Sequence, residues 1–288
     1  TKAMLSLAKQ IDTSMVEFDK EFETYSEGGG AGFHSDFPSR CVNVPAERCY
    51  GKTRVFHLFN TTSHLRKEPV ELTMWDWNGN HELFCVEDVK GNRLDAVILE
   101  RGNYCGHFFT RFLVDAEVPS YGFMTYVVKE KVRDGFEIPL PQDPRVEPFP
   151  KNILENEKIR AEFDTDMCLI SLIDKQSGKE LCDGYGGYFE LADQTTRNTF
   201  IASGWCEGGD VAAFNVNHDG KVFTTGRVNN SLRQSIDYTI EYRSSKLFVT
   251  LSLDKGDSVL RYRVVTEYRE MGDEGGTVPC LRFCLPVG

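Results

Sequence analysis

The chain has 288 residues, a length that fits about two compact domains, and 12% of them are aromatic, enough for sizeable cores. Its net charge of −11 argues against nucleic acid and anionic membrane surfaces as partners, because both attract lysine and arginine clusters. No apolar run approaches a transmembrane helix, and the first residues lack a signal-peptide pattern. Nine scattered cysteines, an odd number, favour free thiols in a reducing compartment, so we expect a cytoplasmic protein.

The first predicted element is a helix over residues 1 to about 24, followed by the glycine-rich linker "SEGGGAG". Its apolar residues recur every three or four positions, which places them on one face: Met4, Leu7, Ala8, Ile11, Met15, Phe18 and Phe22. Such a face needs a packing partner, in the next domain or in a missing one. The sequence has no initiator Met and stops in a strand-like segment, so we expect the chain to be a piece of a longer protein. We assign residues 1–33 to this helix and linker.

Residues 34–148 are predicted to form a small antiparallel β-sandwich. The strand candidates are "TRVFHLFNTTS", "EPVELTMWDW", "DAVILERG", "HFFTRFLVDAEV" and "GFMTYVVKEKV". Turn signals separate them, among them Lys90-Gly91-Asn92, Arg101-Gly102-Asn103 and Pro119-Ser120-Tyr121-Gly122. The proline-rich "EIPLPQDPRVEPFP" then acts as an extended connector, because proline fits neither a helix interior nor a central strand.

Residues 149–288 are predicted to form a second, larger β domain, so the fold class is mainly β. The stretch "NEKIRAEFDTDMCLISLIDKQSGKEL" indicates a strand, a break, a second strand, a turn and the start of a third. Longer strands follow, with turns at residues 243–246 and 254–257. Long strands with few breaks indicate a large sheet rather than a small barrel.

Few residues suggest chemistry on spacing alone. His34 and Asp36 have a spacing that suits two ligands of one metal, but no strand feeds the motif, so we interpret them as loop residues. Cys280 and Cys284 share one face of a strand, and core packing explains them better than a metal does. The acidic residues of the second domain could supply a pair of catalytic carboxylates, although solvated turns explain them more simply: Glu155, Glu157, Asp164 and Asp166.

The aromatic pair Trp75 and Trp77 would share a face if the strand ran through both. Such a pair could stack on a sugar ring, or it could fill the interface between the two β domains, which we favour. The glycosylation patterns at Asn60 and Asn229 are interpreted as chance matches, because no secretory signal accompanies them.

Several segments together resemble glycoside hydrolase family 38, the retaining α-mannosidases. "LENEKIRAEFDTDMCLISLIDKQSGKEL" resembles the start of that family's large C-terminal β domain, and "TRVFHLFNTTSHLRKEPVEL" resembles the opening strand of its first small β domain. Thr61-Thr62-Ser63 replaces the family's Pro-Leu there. "GGYFELAD" and "VVTEYREMGDEGGTVPCLRFCLPV" resemble later strands, so the similarity spans nearly the whole chain.

The resemblance implies the tail of a helical bundle, an immunoglobulin-like sandwich and part of a β-supersandwich of the galactose-mutarotase type. It implies a parent enzyme that hydrolyses terminal α-mannosides, with the nucleophile and the zinc ligands in an N-terminal domain outside this chain. This chain alone is therefore expected to be inactive and to hold no catalytic residue, metal or cofactor.

The resemblance also implies one substrate-binding residue, Tyr188, which follows two glycines; Tyr185 is the less favoured substitute. Two other functions remain open, a carbohydrate-binding module and a purely structural oligomerisation domain. The expected partner is an α-mannoside or oligosaccharide, and a homo-oligomer is also possible.

Overall fold

The structure is a computed structural model, and it describes residues 53–77, 79–104, 107–130, 152–195, 210–272 and 276–285. The predicted helix and linker of residues 1–33, the His34 and Asp36 pair and the proline-rich connector lie outside the described residues. Within the described ranges, no helix combines the length and the hydropathy that a membrane span requires.

The chain divides into two compact units, which are described one at a time. Unit 1 comprises Thr1–Asp143 with Asn230–Leu232, and unit 2 comprises Pro144–Asn229 with Arg233–Gly288. Both are built from antiparallel sheets, so the mainly β fold class is confirmed. The predicted boundaries 1–33, 34–148 and 149–288 stay a prediction.

Unit 1 is a sandwich of two antiparallel sheets. Its strands are β1 (Thr53–Phe59), β2 (Arg66–Trp75), β3 (Phe84–Asp88), β4 (Arg93–Leu94), β5 (Ala96–Tyr104), β6 (His107–Val118) and β7 (Phe123–Glu130). One sheet has the order β1-β7-β3-β4 and the other β2-β6-β5. Alternating inward residues of the strands meet in one core, in which the rings of Phe84 and Phe112 pack edge to face at 5.1 Å.

The tryptophan pair does not share a strand face, so that expectation is wrong. Strand β2 ends at Trp75, because Asp76 adopts a left-handed backbone with φ of 46°. Trp77 then turns into the core of unit 1, where it is 4% exposed and packs edge to face on Phe84. A buried indole cannot serve as an open platform for a sugar ring.

The predicted turn at Arg101-Gly102-Asn103 is also wrong, since β5 runs through all three residues. Gly102 pairs with Phe109 of β6, and a Cβ on Gly102 would lie only 2.8 Å from the ring of Phe109. The glycine therefore marks a close side-chain approach inside a strand rather than a change of chain direction.

Asn60 carries a buried, fully engaged side chain. Its amide donates to the carbonyls of His64 (2.8 Å) and Val118 (3.2 Å), and its Oδ1 accepts from the backbone N–H of Thr62 at 3.0 Å. These bonds close the loop between β1 and β2, which explains the Asn-Thr-Thr sequence without glycosylation.

The described part of unit 2 contains three antiparallel sheets and one helical turn. The strands are β8 (Ile153–Glu155), β9 (Ile159–Phe163), β10 (Leu169–Asp174), β11 (Lys179–Glu180), β12 (Tyr188–Thr195), β13 (Asp210–Asn215), β14 (Lys221–Asn229), β15 (Arg233–Tyr242), β16 (Ser245–Asp254), β17 (Leu260–Glu267) and β18 (Thr277–Cys284). The sheet orders are β11-β10-β9-β8, β13-β12-β18 and β14-β15-β16-β17. The helical turn α1 (Val216–Asp219), which the sequence did not predict, follows β13.

The predicted course of residues 156–181 is confirmed in β9, β10 and β11. The β10–β11 turn needs a left-handed residue, which Gly178 supplies with φ of 70°. The apolar residues of β9 and β10 join those of β15 and β16 in one core: Ile159, Ala161, Phe163, Leu169, Ile236, Tyr238, Ile240, Leu247, Val249, Leu251 and Leu253.

The long strands predicted near the C-terminus are also present, in the sheet β14 to β17. Its turns occur where predicted, with Gly256 left-handed at φ of 72°. The carboxylate of Asp254, 3% exposed, is held by Arg233, whose Nε lies 2.6 Å from Oδ1. Cys280 and Cys284 lie on β18 with the predicted spacing, and every cysteine in the described part is a free thiol.

Candidate functional site

Tyr188 is the first residue of β12, opposite Cys284 of β18. Its side chain is half-buried. Burial raises the pKa of the Tyr188 hydroxyl, and Cys284 adds to the shift. The phenol therefore stays protonated at neutral pH and offers an apolar ring together with a hydrogen-bonding hydroxyl.

The two glycines before Tyr188 allow their backbone to lie close to neighbouring groups. Here those neighbours are strands of unit 2 itself. Gly186 exchanges two backbone hydrogen bonds with Leu169, at 2.8 and 2.9 Å. Gly187 has φ of 61°, and a Cβ there would lie 3.0 Å from the Leu169 Cβ. This geometry fixes the backbone that leads into Tyr188.

Tyr185 lies beside Tyr188, with their ring centroids 5.5 Å apart. The Tyr185 ring also stacks on the imidazole of His218 at 5.3 Å and an interplanar angle of 12°. Its hydroxyl contacts His218 Nε2. Burial, and then the Cys168 thiol, raise the pKa of Tyr185, so it too remains a phenol.

His218 is held in place from both sides. Its Nδ1 lies 2.6 Å from Asp166 Oδ2, and because a carboxylate only accepts, Nδ1 is the donor. In the neutral ring Nε2 is then the acceptor and receives the hydroxyl of Tyr185. The Asn215 side chain caps α1 by accepting the backbone N–H groups of Asn217 (3.0 Å) and His218 (3.1 Å).

The turn between β9 and β10 supplies further residues of this cluster. Asp164 Oδ1 accepts the backbone N–H groups of Asp166 (2.9 Å) and Cys168 (2.8 Å), and Met167 is left-handed at φ of 61°. Cys168 is 0% exposed, and burial raises the pKa of its thiol to about 12. At neutral pH it is a thiol, so it does not act as a nucleophile in this state.

Asn217 joins this turn to β12. Its buried amide donates to the Asp166 carbonyl and accepts the backbone N–H of Phe189, both at 2.9 Å. A single side chain therefore fixes the distance between the Asp164–Cys168 turn and the strand that begins with Tyr188.

The arrangement brings two phenols, an imidazole, a thiol and two carboxylates to one end of unit 2. The aromatic rings with their hydroxyls have the chemistry that recognises a saccharide, since a sugar ring presents C–H groups and hydroxyls together. The side-chain donor atoms of Asp164, Cys168 and His218 lie within 4.8 Å of one another.

Sequence reasoning pointed to Tyr188, weighed Tyr185 and Asp166, and missed His218. The candidate carboxylates separate in the structure: Glu155 pairs with Lys175 at 2.8 Å, while Asp166 binds His218. His218 follows Asp166 by about fifty residues, so only the sheet topology shows that they meet. The sole local signal is the "NVNHDG" segment, in which an asparagine precedes a short helical turn.

No protein-family model matches the chain, and no curated protein matches it in sequence. Among solved structures, it is similar to a protein in glycosyl hydrolase family 38 from Enterococcus faecalis, with a TM-score of 0.53 and 12% identity over 81% of this chain and 33% of that one. It is likewise similar to an α-mannosidase from Enterococcus faecalis V583, with a TM-score of 0.52 and 12% identity over 81% of this chain and 31% of that one. This chain thus spans about a third of the length of these proteins. The predicted resemblance is confirmed at the level of the fold.

Proposed function

We propose that this chain is the non-catalytic β portion of a retaining, zinc-dependent α-mannosidase and forms its scaffold and the rim of its active site. One observation carries the proposal: the fold likeness to structures of glycoside hydrolase family 38 extends over 81% of the chain. A shared short motif or a single shared sandwich would not produce a likeness of this extent. The nucleophile and the zinc ligands belong, in this proposal, to a part of the protein outside this sequence.

Tyr188 is the residue proposed to contact the α-mannoside. Its backbone is fixed by the left-handed Gly187, and its ring is supported by Tyr185 at 5.5 Å. Because the hydroxyl keeps its proton, it can donate to a sugar oxygen while the ring covers C–H groups. The rigid support means that little conformational entropy is lost when substrate binds.

The test compares two proteins, this chain alone and the full-length protein that contains it, with an aryl α-mannoside as substrate. We expect zinc-dependent hydrolysis by the full-length protein and none by the chain, because nucleophilic catalysis is not replaced by positioning alone. Zinc-dependent turnover by the purified chain, retained after a second purification, would contradict the proposal. So would a folded, zinc-loaded full-length protein without α-mannosidase activity.

A carbohydrate-binding module is the second candidate, favoured by the adjacent rings of Tyr185 and Tyr188. Calorimetric titration of this chain with methyl α-mannoside separates the two functions. Binding in the micromolar range that Tyr188→Ala abolishes supports a module, since a rim without the rest of its cleft binds far more weakly. Sedimentation of the same sample tests the oligomerisation alternative.

A further inference from the structure

Three side chains of different chemistry converge beside Tyr185. They are the carboxylate of Asp164, the thiol of Cys168 and the imidazole of His218, whose donor atoms all lie within 4.8 Å of one another. Asp164 and Cys168 lie on one turn, which is held by backbone N–H groups that donate to Asp164 Oδ1, and His218 lies on the capped turn α1. Cysteine sulfur, histidine nitrogen and carboxylate oxygen are all atoms that bind zinc in proteins, so each of these three side chains can serve as a ligand.

A second observation, independent of this convergence, is the bond from His218 Nδ1 to Asp166 Oδ2 at 2.6 Å. Histidines that bind metals commonly donate their other ring N–H to a carboxylate, which fixes the tautomer and the ring orientation. Here the bond leaves Nε2 as the ring nitrogen with the lone pair, and a metal ion at Nε2 would replace the hydrogen bond from the Tyr185 hydroxyl. The Tyr185 hydroxyl contacts Nε2, and a ring nitrogen of His218 lies within 4.8 Å of the Cys168 sulfur.

We propose that Asp164, Cys168 and His218 bind a divalent transition-metal ion, for which zinc is the best match, with Asp166 as the positioning carboxylate. Ligands of tetrahedral zinc lie about 2.0–2.3 Å from the ion and hence roughly 3.3–3.8 Å from each other. The observed 4.8 Å limit is close enough that small side-chain rotations complete the contacts. The Tyr185 hydroxyl or a water molecule fills the fourth position.

Binding exchanges one proton for the ion. The thiol of Cys168 loses its proton to solvent as the sulfur–metal bond forms, and Asp164 and His218 contribute an oxygen and a nitrogen lone pair. Burial disfavours an isolated thiolate, which accounts for the raised pKa of Cys168, but a dication at the sulfur supplies the missing opposite charge.

The direct test is a titration of chelator-treated chain with Co²⁺, whose bond to a thiolate gives a charge-transfer absorption in the near ultraviolet. We expect one cobalt ion per chain, displacement by zinc, and loss of the band in Cys168→Ser and in His218→Gln. The matched control is Cys182→Ser, which removes another buried thiol of unit 2 outside the donor set and leaves the band unchanged.

Asp166→Asn tests the positioning role. The amide still accepts from Nδ1 but lacks the charge, so affinity falls about 10–100-fold while the cobalt spectrum keeps its shape. His218 is exposed, so His218→Gln remains informative if Cys168→Ser fails to fold as judged by circular dichroism.

Absence of a cobalt band in folded chain overturns the proposal. A band that survives both Cys168→Ser and His218→Gln overturns it as well, because another thiol then binds the ion. The inference does not rest on the proposed function, since every measurement uses this chain and none uses enzymatic activity.

Discussion

Gly187 lies against the buried hydroxyl of Tyr262, and a Cβ at Gly187 would overlap that oxygen. Gly187 is also left-handed, with φ of 61°, while the Tyr262 hydroxyl finds no hydrogen-bond partner among the described residues. The contact joins the segment before β12 to β17. Gly187 therefore allows both the left-handed backbone before Tyr188 and the close approach of Tyr262.

We expect Gly187→Ala to destabilise unit 2 by about 1–3 kcal/mol more than Gly178→Ala does. Gly178 is the matched control, because its φ of 70° carries the same backbone strain but a Cβ there meets nothing within 4 Å. Urea unfolding measures both variants. The double variant Gly187→Ala, Tyr262→Phe should regain part of the loss, because the overlapping oxygen is gone; equal destabilisation at the two glycines would contradict this account.

Tyr188→Phe should lower kcat/KM of the full-length protein for an aryl α-mannoside several-fold and leave the melting temperature nearly unchanged. The reason is that only a hydroxyl is removed, and such a hydrogen bond contributes about 0.5–1.5 kcal/mol. Tyr121→Phe, at an exposed tyrosine of unit 1, is the control and should have wild-type kinetics. Wild-type kinetics in Tyr188→Phe would remove this hydroxyl from the substrate contacts.

Asp254→Ala should destabilise unit 2 by about 3–5 kcal/mol, since it removes a carboxylate that is 3% exposed and that binds both Arg233 and Arg261. Arg233 Nε and Nη2 lie 2.6 and 3.1 Å from the two carboxylate oxygens. Glu241→Ala, which breaks the exposed pair with Lys246, should cost less than about 1 kcal/mol. Denaturant unfolding decides, and similar losses in both variants would show that burial of the ion pair is unimportant.

His57 predicts a pH dependence for unit 1. Burial lowers its pKa, and Nδ1 lies 2.9 Å from Thr125 Oγ1, so the folded unit binds this proton less readily than the unfolded chain. The contribution to stability is complete above the unfolded pKa of about 6.5 and is lost as pH falls from there through the lower folded pKa. We expect the acid-induced fall in melting temperature to be smaller in His57→Gln than in the wild type.

Exposed His64 gives the comparison, because His64→Gln should keep the full acid-induced fall. Nuclear magnetic resonance titration should place the His57 midpoint below 6.5. A midpoint at or above that value would contradict the burial effect.

The strands of both units follow from alternation and turn residues in the sequence. The β9–β11 segment was predictable because each break has a local cause, the Asp164 turn and the left-handed Gly178. The turn assigned to Gly102 failed because glycine also marks a site where a ring lies over the backbone. The sequence does not distinguish these two uses of glycine.

The family resemblance implied Tyr188 from a single segment, Gly186-Gly187-Tyr188, and its contact with substrate stays a prediction. His218 was not predicted, because its partner Asp166 belongs to another strand connection. Hydrophobic periodicity carries no information on polar groups that the sheet topology brings together. The position of Trp77 was predicted wrongly for a related reason. The left-handed Asp76 ends the strand, and no glycine or proline in the sequence indicates that end.

The side chain of Asn217 connects the two proposed sites, the metal ligands and Tyr188. Its amide spans the Asp166 carbonyl and the Phe189 N–H, so an ion that tightens the Asp164–Cys168 turn also restrains the backbone next to Tyr188. Coupling through this amide is reciprocal. If the bound ion changes the affinity for a mannoside at Tyr188 by some factor, the bound mannoside changes the affinity for the ion by the same factor. Asn217→Ala should reduce that shared factor towards one and leave the two separate ligand sets in place.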